Sequence, residues 1–225
     1  MGNDGTPRIL ILGGGFGGLY AAMHLENTLA REANVEITLI NRDNFFLFTP
    51  MLHEVAASDL DLTHIVNSVQ KLLRRVQFFA GDVETIDLPG KRVVVSHGFD
   101  HYHHDMPYDH LVIALGSITN FFNLPGLQQP ALTMKSLDDA ITLRNRLIAL
   151  LEEANRECCA AIREPLLTVV VAGGGFAGVE TIAAVNDFLR HALKFYPNCQ
   201  EQHLRMVLVH PGPVILPELG EKLGA

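Results

Sequence analysis

A short apolar stretch that runs into a cluster of glycines constrains the fold of this chain more than any other feature. Residues 9–18 read ILILGGGFGG, and a helical pattern follows from Leu19. In such a pattern Gly13 allows a sharp turn, Gly15 lets the backbone approach a phosphate, and Gly18 allows the helix to pack closely on the strand. The free N–H groups at the start of that helix then face an anion. The order of strand, glycine turn and helix predicts a dinucleotide-binding unit.

The same arrangement recurs in the second half of the chain. Residues 166–179 read LLTVVVAGGGFAGV, again an apolar stretch, a glycine cluster and the start of a helix. At one constant spacing along the chain, the repeated pairs are Gly13 and Gly173, Gly14 and Gly174, Gly15 and Gly175, Phe16 and Phe176, and Gly18 and Gly178. Two such turns are far harder to explain by chance than one, and they predict two dinucleotide sites.

Hydrophobic periodicity and turn residues predict the remaining elements. Helices are predicted over 19–31, 62–75, 136–160 and 179–195, and strands over 35–40, 83–88, 92–95, 111–115 and 204–209. Ser136 is the expected N-cap of the third helix. The turn at Pro89 and Gly90 predicts a hairpin, and the Pro- and Gly-containing stretch 117–126 predicts a domain boundary. The predicted fold class is therefore α/β, with two Rossmann-like domains, parallel sheets and a β-hairpin insertion.

Composition and charge narrow the functional classes. The 225 residues are 48% hydrophobic and 19% charged, which is typical of a folded globular protein. The formal net charge of −8 argues against nucleic-acid binding, because phosphate neutralisation needs clustered Lys and Arg. Cys158, Cys159 and Cys199 form no disulfide framework, which favours inert thiols in a reducing cytoplasm. No apolar run is long enough to span a bilayer.

The residues that end the second strand of each predicted unit are not acidic. In the dinucleotide fingerprint, an acidic residue at this distance from the glycines binds the ribose hydroxyls. Asn41 stands there in the first unit and His210 in the second. An amide can still form a hydrogen bond with a ribose hydroxyl, whereas His210 leaves the choice between NADH and NADPH open.

Two further features allow more than one interpretation. Residues 44–57 are unusually apolar for a connection, and Pro50 and Met51 fit either plain core or the wall of a flat cofactor ring. Glu180, which follows the second glycine turn, fits either a charge that complements the helix dipole or a carboxylate directed towards a bound nicotinamide.

A histidine-rich loop is interpreted as a solvated hairpin tip. Four imidazoles are crowded into it, those of His97, His101, His103 and His104. Neutral imidazole is a common metal ligand, but no cysteine or helical histidine spacing shapes a site here. We therefore expect no metal site.

With both turns in view, the chain resembles the type II NADH:quinone oxidoreductases, membrane-peripheral flavoproteins of the two-dinucleotide-binding class. The segments that carry the resemblance are ILGGGFGGLYAA, FLFTPMLHEVA, YDHLVIALGS, NFFNLPG and VVVAGGGFAGVET. The resemblance implies that residues 1–116 form an FAD-binding domain and that residues 117–225 form an NAD(P)H-binding domain.

The resemblance also implies the site residues. Glu180 would lie near the nicotinamide as the catalytic candidate, and Pro50 and Met51 near the isoalloxazine. The other implied FAD contacts are Gly13, Gly15, Phe16, Gly17, Gly18, Asn41, Arg42, Val83 and Gly116. The implied NADH contacts are Gly173, Gly175, Phe176, Gly178 and His210.

The implied reaction passes a hydride from NADH to FAD and two electrons on to a quinone. Disulfide reductases of this architecture need a cysteine pair beside the flavin, and residues 41–57 contain no cysteine. A soluble NAD(P)H-dependent reductase with a protein acceptor such as ferredoxin stays open as an alternative, as does a non-catalytic nucleotide-binding fragment. A sulfide:quinone reductase is disfavoured, because the three cysteines lie away from the flavin segment.

Members of that family continue beyond the point that corresponds to Ala225. The continuation holds the rest of the nicotinamide domain, a segment that closes over FAD, and a C-terminal region that binds membrane. We therefore expect both domains to be incomplete here. We also expect the full-length protein to sit peripherally on the cytoplasmic face of a membrane through that further region, and the family allows a homodimer.

Overall fold

The computed structural model describes residues 5–32 and 34–220. The strands within these ranges are β1 (Arg8–Leu12), β2 (Glu36–Asn41), β3 (Phe45–Leu47), β4 (Val66–Ser68), β5 (Gln77–Ala80), β6 (Asp82–Asp87), β7 (Arg92–His97), β8 (Tyr102–Pro107), β9 (His110–Ile113), β10 (Thr168–Ala172) and β11 (Arg205–Val209). The helices are α1 (Phe16–Glu32), α2 (Leu52–Ala56), α3 (Val69–Leu72), α4 (Leu137–Arg156), α5 (Ala160–Leu166) and α6 (Phe176–Ala192). Short 3₁₀ turns cover Thr49–Met51, Leu62–His64, Leu193–Phe195, Glu201–His203 and Pro217–Leu219.

The described residues form two compact units. One contains the residues up to Leu47 together with Val66–Ile118, and the other contains Phe48–Ile65 together with the residues from Thr119 onwards. The segment Phe48–Ile65 belongs to the second unit because α2 packs on α4 and α6. The cofactor domains 1–116 and 117–225 remain predictions.

The first unit is built on a parallel sheet in the order β5-β2-β1-β9. Side chains alternate between the faces of a strand, so β1 contributes to two cores. Ile9 and Ile11 pack in the cluster that includes Leu19 and Ala22 of α1. Leu10 and Leu12 pack in the cluster that includes Val93 and Val95 of β7. The central strand is therefore covered on both faces, which explains its uninterrupted apolar sequence.

The predicted hairpin insertion is present and has a third strand. β6 pairs with β7, and β7 pairs with β8, both antiparallel. The turn between β7 and β8 contains His101, and His103 and His104 lie on β8. The histidine-rich loop is thus the second hairpin of a three-stranded sheet.

The second unit is built on the parallel pair β10 and β11. α4 begins at a capping box in which Ser136 Oγ accepts from the N–H of Asp139, and the Asp139 carboxylate accepts from the N–H of Ser136. This confirms Ser136 as the N-cap. The core of the unit joins apolar residues of α4 and α6 with Leu167, which directly precedes β10, and with Cys199. Its buried members are Leu147, Leu151, Ala154, Leu167, Val185, Leu189 and Cys199.

The helix predicted over 62–75 is wrong. The structure has the 3₁₀ turn Leu62–His64, then β4, then the short helix α3. The Asp61 side chain accepts from the N–H of Thr63 and caps the turn, and Asn67 of β4 pairs with Phe46 of β3. Ile65 and Val69 are buried and Leu72 is exposed, and strand pairing replaces the helical backbone between Ile65 and Val69.

The long helix predicted over 136–160 ends at Arg156, and a separate helix, α5, follows it. Within residues 5–32 and 34–220, no helix combines the length and the apolar character needed to cross a bilayer.

Candidate functional site

The first glycine turn connects β1 to α1 and is closed by backbone packing. Gly13 has φ +99° and donates its N–H to the carbonyl oxygen of Ile40 at 2.8 Å. A Cβ atom on Gly13 would overlap the carbonyl oxygen of Ala114, and a Cβ atom on Gly18 would overlap that of Gly13. These two glycines are therefore required by the fold itself, before any ligand is considered.

Other glycines of the first unit face open space. A Cβ atom on Gly15 or on Gly116 would meet no atom within 4 Å, and one on Gly17 would make only an ordinary contact, 3.4 Å from Ala114. α1 has no acidic residue in its first turn. The helix N-terminus and the uncovered backbone beside it have the geometry of an anion site.

Asn41, at the end of β2, holds the turn in place. Its Oδ1 accepts a hydrogen bond from the N–H of Gly14 at 2.8 Å, and its Nδ2 donates to the carbonyl oxygen of Asp43 at 2.8 Å. A Cβ atom on Gly14 would lie 2.8 Å from Cγ of Asn41. The amide oxygen and the amide nitrogen of Asn41 therefore each make one hydrogen bond within the protein, and its contact with the FAD ribose stays a prediction.

The remaining predicted contacts of the first unit lie beside this turn or on neighbouring strands. Phe16 begins α1, and its ring packs edge-on against Phe46 with the centroids 5.0 Å apart. Arg42 follows Asn41 along the chain and forms an ion pair with Asp82 at 2.6 Å, and this hydrogen bond raises the pKa of the guanidinium. Val83 is half-buried on β6. Their contacts with FAD remain predictions.

The second glycine turn repeats the first one bond for bond. Gly173 has φ +119° and donates its N–H to Val209 at 2.8 Å, as Gly13 does to Ile40. The N–H of Gly174 donates to Nδ1 of His210 at 3.2 Å. A Cβ atom on Gly178 would overlap the carbonyl oxygen of Gly173. Because His210 lies at the end of β11, it occupies the place that Asn41 has in the first unit.

The surroundings of the second turn differ from those of the first. A Cβ atom on Gly173 would meet nothing within 4 Å, whereas Gly13 is packed against Ala114. The segment after β11 folds back, so that the N–H of Leu216 donates to the carbonyl oxygen of Gly174 at 2.7 Å. Phe176 begins α6, and this helix has no acidic residue in its first turn. Its N-cap residue is Gly175, which provides no side-chain hydrogen bond to the helix N-terminus. The N-terminus of α6 thus also has the features of an anion site, but the carboxylate of Glu218 lies beside it, with Oε1 3.9 Å from the place of a Cβ atom on Gly175.

Glu180 lies on α6 beside a histidine that sequence reasoning did not single out. Its Oε2 is 3.7 Å from Nδ1 of His53 on α2, and Nε2 of His53 is 3.5 Å from Oε1 of Glu54. The side chain of His53 is 16% exposed and that of Glu180 is 46% exposed. Since Glu180 comes after the first turn of α6, its effect on the helix dipole is small. The sequence signal that could have identified His53 is its position among the apolar residues of α2, which reads LHEVA.

Pro50 and Met51 precede α2 in the second unit. They lie in the 3₁₀ turn Thr49–Met51, where neither is fully buried. The buried residues of this segment are instead Leu52, Val55 and Ala56 of α2. The apolar character of the segment is thus explained mainly by α2, and the flavin contacts of Pro50 and Met51 remain predictions.

The histidine-rich loop and the cysteines lie outside these features. The ring centroids of His97 and His104 are 5.1 Å apart and both rings pack near Phe79. Among the described residues, no group of three or more His, Cys, Asp or Glu side chains is arranged to hold a metal ion. Cys158 and Cys159 are exposed, whereas Cys199 is buried, and burial raises the pKa of its thiol.

Comparison with known proteins gives matches to oxidoreductases that use pyridine nucleotides or quinones. Residues 7–225 match the family described as pyridine nucleotide-disulphide oxidoreductase. The chain is 36% identical over 221 residues to the type II NADH:quinone oxidoreductase Ndh of Mycobacterium tuberculosis, an alignment that covers 96% of the chain and 46% of that protein. It is also 36% identical over 190 residues to the demethylphylloquinone reductase NdbB of Synechocystis, covering 83% of the chain and 44% of that protein.

A solved structure extends this likeness to the backbone. NDH2 of Plasmodium falciparum in complex with NADH is 25% identical and superposes with a TM-score of 0.89 over 97% of the chain and 44% of that protein. The chain therefore spans less than half the length of each of these relatives.

Proposed function

The chain belongs to the pyridine nucleotide-disulphide oxidoreductase family, and we propose that its first glycine turn binds FAD and its second binds NADH. The observation that carries this proposal is the repeat of the turn, bond for bond, at Gly14 with Asn41 and at Gly174 with His210. Each turn leaves a helix N-terminus without a first-turn acid, and such an end binds a pyrophosphate. The similar structure from Plasmodium falciparum, which is a complex with NADH, supports the assignment of the second turn.

The proposed activity is that of an NADH dehydrogenase that reduces a quinone. Bound FAD would supply the redox chemistry, taking a hydride from NADH and releasing two electrons to the quinone. The residues of the chain bind and orient: the two turns hold the pyrophosphates, and the carboxylate of Glu180, next to His53, is directed towards the nicotinamide. The quinone acceptor is supported by the names of the relatives from Mycobacterium tuberculosis and Synechocystis. NADPH stays open as a second donor.

The place of the protein in the cell is also a proposal. We expect it to sit peripherally on the cytoplasmic face of a membrane, and to make that contact through sequence that the longer relatives have and residues 1–225 do not include. A homodimer remains compatible with this arrangement.

The experiment that tests the proposal uses the longest form of the protein that the gene encodes. We expect a yellow protein with one flavin per chain that oxidises NADH when a short-chain ubiquinone or menaquinone is added. Glu180→Gln should retain the flavin and slow NADH oxidation, because the carboxylate is lost while the packing of α6 is kept. Asp187→Asn, on the same helix, is the matched control and should leave the rate unchanged.

Three outcomes would contradict the proposal. Oxidation of NADH with ferredoxin alone would favour a soluble reductase with a protein acceptor. A colourless protein that binds NADH without oxidising it would favour a non-catalytic nucleotide-binding module. A yellow protein whose flavin is not reduced by NADH would show that the second turn does not bind the donor.

A further inference from the structure

The imidazole of His210 is held between two backbone segments of the second unit. Its Nδ1 accepts the hydrogen bond from the N–H of Gly174 at 3.2 Å. A Cβ atom on Gly174 would lie 2.8 Å from Cγ of the ring, and one on Gly212 would lie 2.9 Å from Nε2. The ring therefore fits between two glycines, and its position is coupled to the shape of the glycine turn.

Asn41 makes the equivalent contact in the first unit with different chemistry. Its amide oxygen accepts from the N–H of Gly14 at 2.8 Å, and its Cγ would lie 2.8 Å from a Cβ atom on that glycine. An amide does not titrate in the physiological range, whereas imidazole is the side chain that changes charge between about pH 5 and 8. The two turns thus share this contact, and the second makes it through a titratable side chain whereas the first makes it through an amide.

We propose that His210 is a positioning residue that holds the second glycine turn in shape for NADH through its neutral imidazole, and that protonation of the ring releases the turn. This inference rests on the proposed function of the second turn as the NADH site. It makes NADH binding sensitive to acid, and it makes the first turn, held by Asn41, insensitive.

The direction of the effect follows from the hydrogen bond. A neutral imidazole has one acceptor nitrogen and one N–H, so acceptance at Nδ1 places the proton on Nε2. In the protonated ring both nitrogens are donors, and Nδ1–H would face the N–H of Gly174.

The charged groups nearest to His210 come from three elements. On α6 the nearest to the turn along the chain is Glu180, and on the segment after β11 it is Glu218, whose Oε1 lies 3.9 Å from the place of a Cβ atom on Gly175. β11 itself contributes Arg205 at its far end. The ion pairs found within residues 5–32 and 34–220 do not include His210. Glu218 is therefore the group whose titration must be separated from that of His210.

The first test reads the ring directly and needs no ligand. The full-length protein is labelled with ¹⁵N-histidine, and the His210 signals are assigned by their loss in His210→Asn. At about pH 8 we expect an acceptor-type Nδ1 and a protonated Nε2. The opposite tautomer, or a ring already charged at that pH, would overturn the inference.

The second test measures the affinity for NAD⁺, which withstands acid better than NADH, by calorimetry at about pH 8 and about pH 5.5. Loss of one hydrogen bond corresponds to roughly a 2- to 10-fold change in affinity, and we expect wild-type binding to weaken by this factor on acidification. His210→Asn should bind within about twofold of wild type at pH 8 and show no acid response, because it copies Asn41. His210→Ala should be weak at both pH values. Glu218→Gln should keep the acid response.

The outcomes are distinguishable. A flat wild-type profile, tighter binding in acid, or an acid response that survives in His210→Asn would each overturn the inference. A wild-type protein that fails to bind NAD⁺ at pH 8 would contradict the proposed function instead, and the ¹⁵N spectrum would then decide whether His210 holds the turn. Circular dichroism of each variant shows that the fold is retained.

Discussion

Nδ1 of His53 lies 3.7 Å from Oε2 of Glu180, and this contact joins α2 to α6 within the second unit. The imidazole is mostly buried and the carboxylate is half-exposed, so the more buried partner orients the more exposed one. If Glu180 is directed towards a bound nicotinamide, His53 determines where its carboxylate stands.

This relationship predicts energetic coupling between the two residues. His53→Ala and Glu180→Gln should each lower kcat/KM for NADH, and the double variant should be less impaired than the sum of the two effects. We expect a coupling energy on the order of 0.5–1 kcal/mol. Asp187→Asn, on the same helix as Glu180, is the control and should show no coupling with His53→Ala, because the ion pairs of His53 are with Glu54 and Glu180. Strictly additive effects would show that His53 does not act through Glu180.

The glycines of the first turn predict two different phenotypes. A Cβ atom on Gly18 overlaps a backbone carbonyl oxygen, whereas one on Gly15 meets open space. Gly18→Ala should lower the free energy of unfolding of the flavin-free protein by about 1–3 kcal/mol. Gly15→Ala should change it by less than about 0.5 kcal/mol and still weaken flavin retention. Urea unfolding and flavin stoichiometry check the pair, and normal flavin retention in Gly15→Ala would argue against the FAD assignment.

The core of the second unit predicts a strong contrast within one helix. Leu151 on α4 is 1% exposed, whereas Ile148 on the same helix is 38% exposed. Leu151→Ala should therefore reduce the free energy of unfolding by about 2–5 kcal/mol, and Ile148→Ala should cost much less. Denaturant unfolding of both variants provides the measurement. Equal losses would mean that the α4 core is assigned to the wrong face.

The contact between Arg8 and Asp109 predicts a dependence of stability on pH. The side chain of Arg8 donates to the Asp109 carboxylate at 3.2 Å and its backbone N–H donates at 2.8 Å, and these hydrogen bonds hold the pKa of Asp109 below its usual value. The stabilisation is fully present above the ordinary aspartate pKa of about 3.9 and is lost as the pH falls through the lower pKa of the folded state.

Asp109→Asn should accordingly be less stable than wild type at neutral pH, and the difference should shrink in acid. Chemical unfolding at a series of pH values between about 2 and 7 measures it. A difference that stays constant over this range would show that the carboxylate charge does not matter.

The cysteines predict a simple order of modification. Cys158 and Cys159 are exposed, whereas Cys199 is buried with a raised thiol pKa. Since the thiolate is the reactive form, iodoacetamide should modify the first two quickly and Cys199 only when the second unit unfolds. Mass spectrometry of timed samples with and without urea checks this order. Rapid alkylation of native Cys199 would contradict its burial.

The two strand–turn–helix units were predictable because each local requirement is visible in the sequence. Gly13 needs a positive φ and Gly18 needs an absent Cβ, and Ser136 caps α4 with an acid three residues later. These are local rules of backbone geometry and hydrogen bonding. These rules predict the structure correctly wherever the tertiary packing does not impose a different backbone.

The failures lie where distant segments override the local pattern. The helix predicted over 62–75 is interrupted because β4 pairs with β3, a partner that periodicity does not reveal. The ribose contacts of Asn41 and His210 stay predictions, and the sequence does not reveal that each side chain also accepts a hydrogen bond from a glycine N–H of its own unit. The contact of His53 with Glu180 depends on the packing of α2, which no nearby residue specifies.

α2 also bears on the order in which the chain folds as it is synthesised. Leu52, Val55 and Ala56 are buried in the second unit, where α2 packs on α4 and α6. Both of those helices lie far downstream, so a ribosome releases the apolar side of α2 long before its partners exist. Domains fold as their parts become available during translation. During synthesis the apolar side of α2 is therefore exposed to solvent until α6 has been translated.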